Sequence, residues 1–186
     1  MIEDLKKACE VMQSGGIILY PTDTIWGIGC DATNEVAVQK VYELKQRVDN
    51  KAMLVLIGNP VKLERYVVDV PEVAWELIEV TDKPLTIIYS QGKNLAANLL
   101  ANDGSIGIRV TNEEFSRKLC EMFQKPLVST SANISGEPSP ANFTEISDKI
   151  RENVDYIVQY RQQDKNKAMP SGIIKLEDGG LFRIIR

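Results

Sequence analysis

Met53-Leu54-Val55-Leu56-Ile57 is a continuous apolar run in the first third of the chain. Such a strand is typical of the middle of a sheet that is covered on both faces. Before it, residues 34–46 carry apolar side chains at helical spacing and predict a helix. After it come two predicted helices, near 60–66 and 72–80, and two predicted strands, 85–89 and 106–110. This alternation of strands and helices predicts an α/β domain with helices packed on a sheet.

The same alternation extends towards both ends of the chain. Residues 3–13 predict an amphipathic helix, which is followed by a strand at 17–20 and an extended piece at 25–29. Thr111 and Glu114 have the spacing of a capping box, which predicts a helix that ends near Phe123. Strands at 127–129 and 156–159 and a short helix near 144–151 come next. A final hairpin, 172–176 with 181–185, makes the sheet mixed, and we expect residues 1–186 to form one domain.

The composition limits the chemistry that the chain can carry out. Its 186 residues include no histidine, which excludes a Ser-His-Asp triad, a Cys-His pair and a histidine-ligated metal. The 3 cysteines lie singly and are expected to be buried apolar residues. A net charge of -4 argues against a protein that mainly binds nucleic acid. No apolar run approaches the ~20 residues that span a bilayer, so we expect a cytoplasmic protein.

A glycine-containing turn at residues 21–29 is the first candidate ligand site. Its Pro-Thr-Asp-Thr sequence places hydroxyl groups at a strand end, and Gly27 and Gly29 allow the backbone to approach a ligand. A purely structural turn explains the same residues. Gly27, Gly29 and Ala32 also fit a loose dinucleotide-binding pattern with Asp49, but the predicted helix begins too late for that pattern.

Cations, a polar loop and a strand arginine are the next candidates. Lys45, Arg47 and Lys51 serve either as a solvated helix cap or as a phosphate clamp. Residues 129–140 are rich in small hydroxyl and amide side chains, and they form either a plain surface loop or a loop that wraps phosphates. Arg109 stands in an apolar strand, where arginine is rarely buried without an anionic partner. That partner is either a ligand or a structural salt bridge.

Taken together, these segments resemble the YrdC/Sua5 family, the threonylcarbamoyl-AMP synthases, and in particular its short, single-domain members. The matching motifs keep the family's order from Gly15 to Arg183: Pro-Thr-Asp-Thr with Gly-x-Gly, Lys-x-Arg, Pro-x-Thr, Gly-x-Arg-Val and Ser131-Ala132-Asn133-Ile134-Ser135-Gly136. The last of these motifs is the most specific. The sequence departs from the family's pattern at Trp26, Val48, Ala52-Met53 and Gly172.

The resemblance implies an open, twisted, mixed sheet of the YrdC/RibB-like kind around a concave, positively lined cavity. It also implies a reaction in which L-threonine and bicarbonate give a carbamate whose oxygen attacks the α-phosphate of ATP, and pyrophosphate leaves. Mg²⁺ is expected to assist while held mainly by the ATP phosphates, so no metal site on the protein is implied. A separate tRNA threonylcarbamoyl transferase complex then uses the product to make N6-threonylcarbamoyladenosine.

The resemblance further implies two sets of binding residues. The ATP side comprises Lys45, Arg47, Lys51, Ser105, Ser131, Ser139 and Arg183. The threonine side comprises Thr24, Leu56, Arg109, Ser129 and Ser171. Lys45, Arg47, Ser131 and Asn133 are expected to be catalytic: the two cations neutralise phosphate charge, and Asn133 shapes the loop or contacts phosphate.

Two alternatives remain open. One is a non-catalytic RNA-binding or regulatory protein of the same fold, which a broad basic stripe would favour. The sequence shows only a local cluster, which extends from Lys45 to Lys62 and Arg65, and a weak contact with tRNA is left open. The other is carbamoyl-adenylate chemistry on a different acceptor, as in hydrogenase maturation proteins, which are much longer and carry further domains.

Overall fold

A nine-stranded sheet and six α-helices make up the part of the chain that a computed structural model describes, residues 1–46, 53–165, 169–177 and 180–186. The strands are β1 (Ile18–Tyr20), β2 (Gly27–Gly29), β3 (Leu54–Ile57), β4 (Leu85–Tyr89), β5 (Ile106–Val110), β6 (Leu127–Ser131), β7 (Tyr156–Ile157), β8 (Gly172–Leu176) and β9 (Phe182–Ile184). The helices are α1 (Ile2–Gln13), α2 (Glu35–Leu44), α3 (Leu63–Tyr66), α4 (Glu72–Val80), α5 (Glu114–Phe123) and α6 (Asp148–Arg151).

The strand order is β7-β1-β2-β6-β3-β5-β4-β8-β9. Three neighbouring pairs are parallel (β1 with β7, β3 with β5, β4 with β8), and the other five pairs are antiparallel. The predicted mixed sheet is therefore confirmed. The apolar strand β3 lies between β6 and β5, in the middle of the sheet, and three of its four residues are buried.

Most of the predicted elements are confirmed, and the differences include the start of α5, the end of β6 and the helix near 144–151. The capping box is wrong, because helix α5 is capped by Glu113, whose carboxylate accepts from Ser116 N at 2.7 Å. Thr111 Oγ1 instead lies 2.8 Å from Ser116 Oγ. Strand β6 extends two residues further than predicted, since Ser131 pairs with Gly27 of β2. The helix expected near 144–151 consists of a 3₁₀ turn at Phe143–Glu145 and the single-turn helix α6.

Side-chain alternation along the strands gives the sheet two different faces. On β5, Gly107 and Arg109 open onto one cavity, whereas Ile108 and Val110 open onto another. Successive side chains of a strand point to opposite faces, so the two cavities lie on opposite sides of the sheet. We call them the front cavity, on the side of Arg109, and the rear cavity, which helix α4 borders.

The three cysteines are buried and free, as predicted from the sequence. Within the described ranges, no helix is both long enough and apolar enough to cross a bilayer. Among the same residues, no group of three or more Cys, Asp and Glu side chains is arranged to hold a metal ion.

Candidate functional site

The front cavity has a volume of about 870 Å³ and lies over strands β4, β5 and β6. Cavities of a few hundred cubic ångströms or more accommodate small-molecule ligands. Its described walls include seven of the residues expected to bind ligand: Thr24, Ser105, Arg109, Ser129, Ser131, Ser139 and Ser171. Residues expected on the threonine side and residues expected on the ATP side therefore share one cavity.

Arg109 is the most informative residue of the front cavity. Only 2% of its surface is exposed, although the residue lines the cavity. One terminal nitrogen, Nη2, lies 3.0 Å from Asp23 Oδ1 and donates to Thr24 Oγ1 at 3.3 Å. Nε is buried and has no hydrogen-bond acceptor among the described residues. A buried donor without a partner is costly, so an acceptor that reached this nitrogen would stabilise the site.

Asp23 supplies the anionic partner that a buried arginine needs, and the pair resides in a largely dry environment. Burial raises the pKa of the Asp23 carboxyl, and the nearby Arg109 charge offsets part of this rise. Burial also lowers the pKa of the Arg109 guanidinium, which Asp23 opposes. Apart from this ion-pair contact with Arg109, Asp23 Oδ1 receives no hydrogen bond from the described residues. The pair is thus an ion pair with unused hydrogen-bonding capacity on both partners.

Hydroxyl groups surround Arg109 and are held in place by their own hydrogen bonds. Thr22 Oγ1 lies 3.0 Å from Thr24 Oγ1 and donates to Ile25 O at 2.8 Å. On the neighbouring strand β4, Thr86 is the register partner of Arg109, and its Oγ1 lies 2.8 Å from Ser171 Oγ. Such short polar side chains give the cavity donors and acceptors with little bulk.

The segment that follows β6 is held by Lys45, at the C-terminal end of α2. Lys45 Nζ donates to Ser131 O at 2.6 Å and to Asn133 O at 2.7 Å. Asn133 Nδ2 donates to Glu137 O at 2.6 Å, and Ser135 N donates to Lys45 O at 2.9 Å. In this structure Lys45 and Asn133 therefore shape the loop, and neither is among the described residues that line the front cavity.

The loop's backbone amides are largely engaged within the protein. The N–H groups of Ala132, Asn133, Ser135 and Glu137 donate to Trp26 O, Ser131 O, Lys45 O and Ile134 O. The expectation that backbone N–H groups of this loop wrap phosphates does not fit these four amides. Side-chain hydroxyls of the loop, at Ser131 and Ser139, do reach the cavity.

Two further predicted residues lie away from the front cavity. Leu56 pairs in register with Arg109 but is fully buried and is not among the cavity residues. Arg183 lies on the edge strand β9, where its Nε is 3.2 Å from Glu177 Oε1 and its side chain is 62% exposed. Arg47 and Lys51 lie outside the described residues. Their assignments to the ATP side stay predictions, as does the positively lined cavity that the resemblance implies.

Four residues of the site were not assigned from the sequence: Asp23, Thr86, Asp103 and Arg186. Arg186 lines the front cavity, and its Nε donates to Ser171 O at 3.1 Å. Asp103 also lines it, and hydrogen bonds from Ser105 hold the pKa of its carboxyl at about 2. Asp23 carried a signal in the sequence, since it stands within the Pro-Thr-Asp-Thr turn. Thr86 also carried one, as the last residue of the Pro-x-Thr motif, whereas Asp103 and Arg186 lacked a local signal because only the folded sheet brings them to the cavity.

The described walls suit an anionic ligand better than a protein-bound metal. Asp103 has the one side-chain carboxylate among the described lining residues, against the guanidinium groups of Arg109 and Arg186. One carboxylate is a weak basis for a dedicated metal site, whereas guanidinium groups bind carboxylate and phosphate. The arrangement can therefore hold a carboxylate at Arg109 and further polar groups at the surrounding hydroxyls.

Comparison with known proteins identifies relatives over nearly the whole chain. The sequence model of the Sua5/YciO/YrdC family, described as "Telomere recombination", matches residues 10–186. A threonylcarbamoyl-AMP synthase of Pseudoalteromonas translucida is 32% identical over 179 residues, which cover 95% of each chain.

Solved structures show the same fold. The crystal structure of Escherichia coli YciO has a TM-score of 0.86 and 26% identity, and covers 100% of this chain and 89% of that chain. The Sua5 of P. abyssi, crystallised with L-threonine, has a TM-score of 0.86 and 24% identity, and covers 98% of this chain. This chain spans about half of that Sua5, 53% of its length.

Proposed function

This chain belongs to the Sua5/YciO/YrdC family, and we propose that it forms threonylcarbamoyl-AMP and pyrophosphate from L-threonine, bicarbonate and ATP. The observation that carries the proposal is the buried Arg109, which lines the front cavity and keeps Nε without an acceptor among the described residues. A guanidinium with a vacant donor recognises a carboxylate, and an amino-acid substrate offers one.

The proposed reaction assigns separate tasks to the two sets of residues. Arg109 holds the threonine carboxylate, while Thr24, Ser129 and Ser171 border the rest of the amino acid. The threonine amine and bicarbonate give a carbamate with loss of water. A carbamate oxygen then attacks the α-phosphorus of ATP, and the bond from that phosphorus to the pyrophosphate oxygen breaks. No general base on the protein is required for this attack, which agrees with a chain that contains no histidine.

The ATP phosphates belong, in this proposal, beside Ser131 at the end of β6 and Ser139 in the loop that follows it. Lys45 and Asn133 position that segment through the bonds described above. Mg²⁺ bound to ATP would supply neutralisation of phosphate charge. Among the described lining residues, Asp103 has the side-chain carboxylate that could contribute a ligand to it. Catalysis of this kind rests on positioning and charge neutralisation.

The proposal places the enzyme in the cytoplasm, upstream of a transferase complex that moves the threonylcarbamoyl group to tRNA adenosine. The synthase activity and the threonine substrate are supported by the name of the relative from Pseudoalteromonas translucida and by the likeness to a Sua5 crystallised with L-threonine. Neither relative bears on the transferase complex or on RNA contacts of this chain.

The test is release of pyrophosphate from ATP by the purified protein, measured with each substrate omitted in turn. We expect release that requires both L-threonine and bicarbonate, with L-serine and L-valine as matched controls for the hydroxyl and the branched side chain. Equal release without threonine would refute the substrate assignment. Binding of RNA without any nucleotide turnover would favour the non-catalytic alternative.

A further inference from the structure

The rear cavity is a second, partly open space, of about 520 Å³, on the side of the sheet away from Arg109. Its floor is the apolar face of β4 and β5, which includes the buried residues Ile87, Tyr89 and Ile108. Helix α4 forms one wall with Trp75 and Ile78. The volume and the apolar walls match those of small-molecule sites rather than those of packing defects.

The charges of the rear cavity are opposite to those of the front cavity. Its described lining carries three carboxylates, Asp23, Glu79 and Asp82, and one ammonium, Lys83. Glu79, Asp82 and Lys83 are exposed at the rim, whereas the Asp23 side chain is only 12% exposed. A cation is therefore favoured over an anion, and Asp23 is the charge that a ligand inside would meet.

Asp23 connects the two cavities. It contributes to the wall of the rear cavity, while its Oδ1 lies 3.0 Å from Nη2 of Arg109, which lines the front cavity. The same Oδ1 has no hydrogen bond from the described residues. The Asp23 carboxylate thus lines the rear cavity and contacts, through Arg109, a residue of the front cavity.

We propose that the rear cavity binds a small organic cation, an ammonium group on an apolar body, and that this binding strengthens carboxylate binding at Arg109. The ammonium group pairs with Asp23, and the apolar body packs against Trp75 and the floor. The negative charge of Asp23 then interacts with two cations, Arg109 and the ligand, and so neutralises Arg109 less completely. Arg109 consequently attracts a carboxylate in the front cavity more strongly.

Thermodynamic linkage makes this coupling reciprocal, so the front ligand must strengthen binding of the cation by the same factor. Coupling between sites typically changes affinity by about 5- to 150-fold, and we expect a value near the lower end because Asp23 keeps its contact with Arg109. The coupling part rests on the proposed function, since it uses L-threonine as the front ligand. Binding of the cation in the rear cavity does not depend on the proposed function.

Occupation is tested with 2-phenylethylammonium as the probe. The chain has 2 tryptophans, Trp26 in the front cavity and Trp75 in the rear cavity, so a Trp26→Phe variant reports on the rear cavity alone. We expect saturable change of Trp75 fluorescence with the ammonium compound and at least about fivefold weaker binding of 2-phenylethanol, its uncharged counterpart. Ile78→Trp, which fills the cavity, should weaken the binding measured by calorimetry.

Dependence on Asp23 is tested by an isosteric variant and a matched control. Asp23→Asn should lose the preference for the ammonium compound, whereas Glu76→Gln, on the same helix wall but outside the described lining, should keep it. Three results would overturn the proposed site. They are equal binding of the charged and uncharged probes, no binding of either probe, and unchanged binding by a folded Asp23→Asn protein.

Coupling is tested by calorimetry of L-threonine with and without saturating probe on the otherwise unaltered chain. We expect the probe to lower the threonine Kd about fivefold or more, and this gain should vanish in Asp23→Asn. An unchanged threonine Kd with a bound probe would refute the coupling. Failure of threonine to bind under either condition would count against the proposed function, while the fluorescence result would still decide the rear site.

Discussion

Replacing Arg109 by lysine keeps the positive charge at the front cavity but removes the planar fork of donors. Lysine can still pair with Asp23, since its ammonium replaces the nitrogen that now lies 3.0 Å from Oδ1. It has no donor at the position of Nε, which is the nitrogen without an acceptor in the described structure. The variant therefore removes the contact that we assign to the threonine carboxylate and leaves the internal ion pair.

The size of the effect follows from the loss of one hydrogen bond between two charged groups. Such a bond contributes about 1.5–3 kcal/mol, and a tenfold change in affinity corresponds to about 1.4 kcal/mol. Threonine affinity should accordingly fall by about 10- to 150-fold. ATP affinity and the melting temperature should change little, because the ion pair and the hydroxyl network persist.

Calorimetry with L-threonine and with ATP, together with thermal unfolding, measures the three quantities on one protein. Arg117→Lys is the matched control, since Arg117 is an exposed arginine paired with Glu121 on helix α5. Normal threonine affinity in a folded Arg109→Lys protein would refute the assignment. A fall in melting temperature with equal damage to both ligands would favour a purely structural salt bridge.

Three further substitutions test other parts of the account. Lys45→Ala should weaken ATP binding at least about tenfold in calorimetry, because it removes two hydrogen bonds to the carbonyls of residues 131 and 133. The control is Lys40→Ala, at an exposed position. Unchanged ATP affinity in Lys45→Ala would contradict this role. Asp23→Asn should lower the free energy of unfolding by about 3 kcal/mol, because it leaves the Arg109 charge buried without its partner. L-threonine should then raise the melting temperature of this variant more than that of the unaltered chain. Equal shifts in melting temperature would count against a guanidinium that is shared between Asp23 and threonine. Gly29→Ala should lower the free energy of unfolding by about 1–3 kcal/mol, since its Cβ would lie 2.5 Å from the Tyr20 ring. Gly27→Ala is the matched control, because the atoms nearest to its Cβ would lie at 3.4 Å. It should unfold at nearly the normal temperature.

Elements with a strong local pattern were predictable from the sequence. Residues 85–89 and 106–110 form strands with the predicted bounds, because their apolar composition and flanking residues specify a strand without help from the rest of the fold. The start of α5 was not predicted correctly. There, the side chain of Glu113 competes with the hydroxyl of Thr111 for the same helix end, and spacing alone does not distinguish them.

The contacts that define the site depend on pairs that are distant in the sequence. Arg109 was recognised as unusual because a charge interrupts an apolar strand, but its partner Asp23 lies in a turn 86 positions earlier. The bonds from Lys45 to the carbonyls of residues 131 and 133 likewise join segments that only the sheet order brings together. At the C-terminus, Arg183 and Arg186 were equivalent by charge, and only the structure shows that Arg186 reaches the front cavity.

The proposed synthesis is tested most directly by the mass of the nucleotide product formed from ATP, L-threonine and ¹³C-labelled bicarbonate. The account predicts an adenylate that contains threonine and one labelled carbon, and that is missing when either threonine or ATP is omitted. It also predicts that the Arg109→Lys protein forms this product only at much higher threonine concentrations. A product that consists of AMP alone, or a threonine adenylate without the labelled carbon, would contradict it.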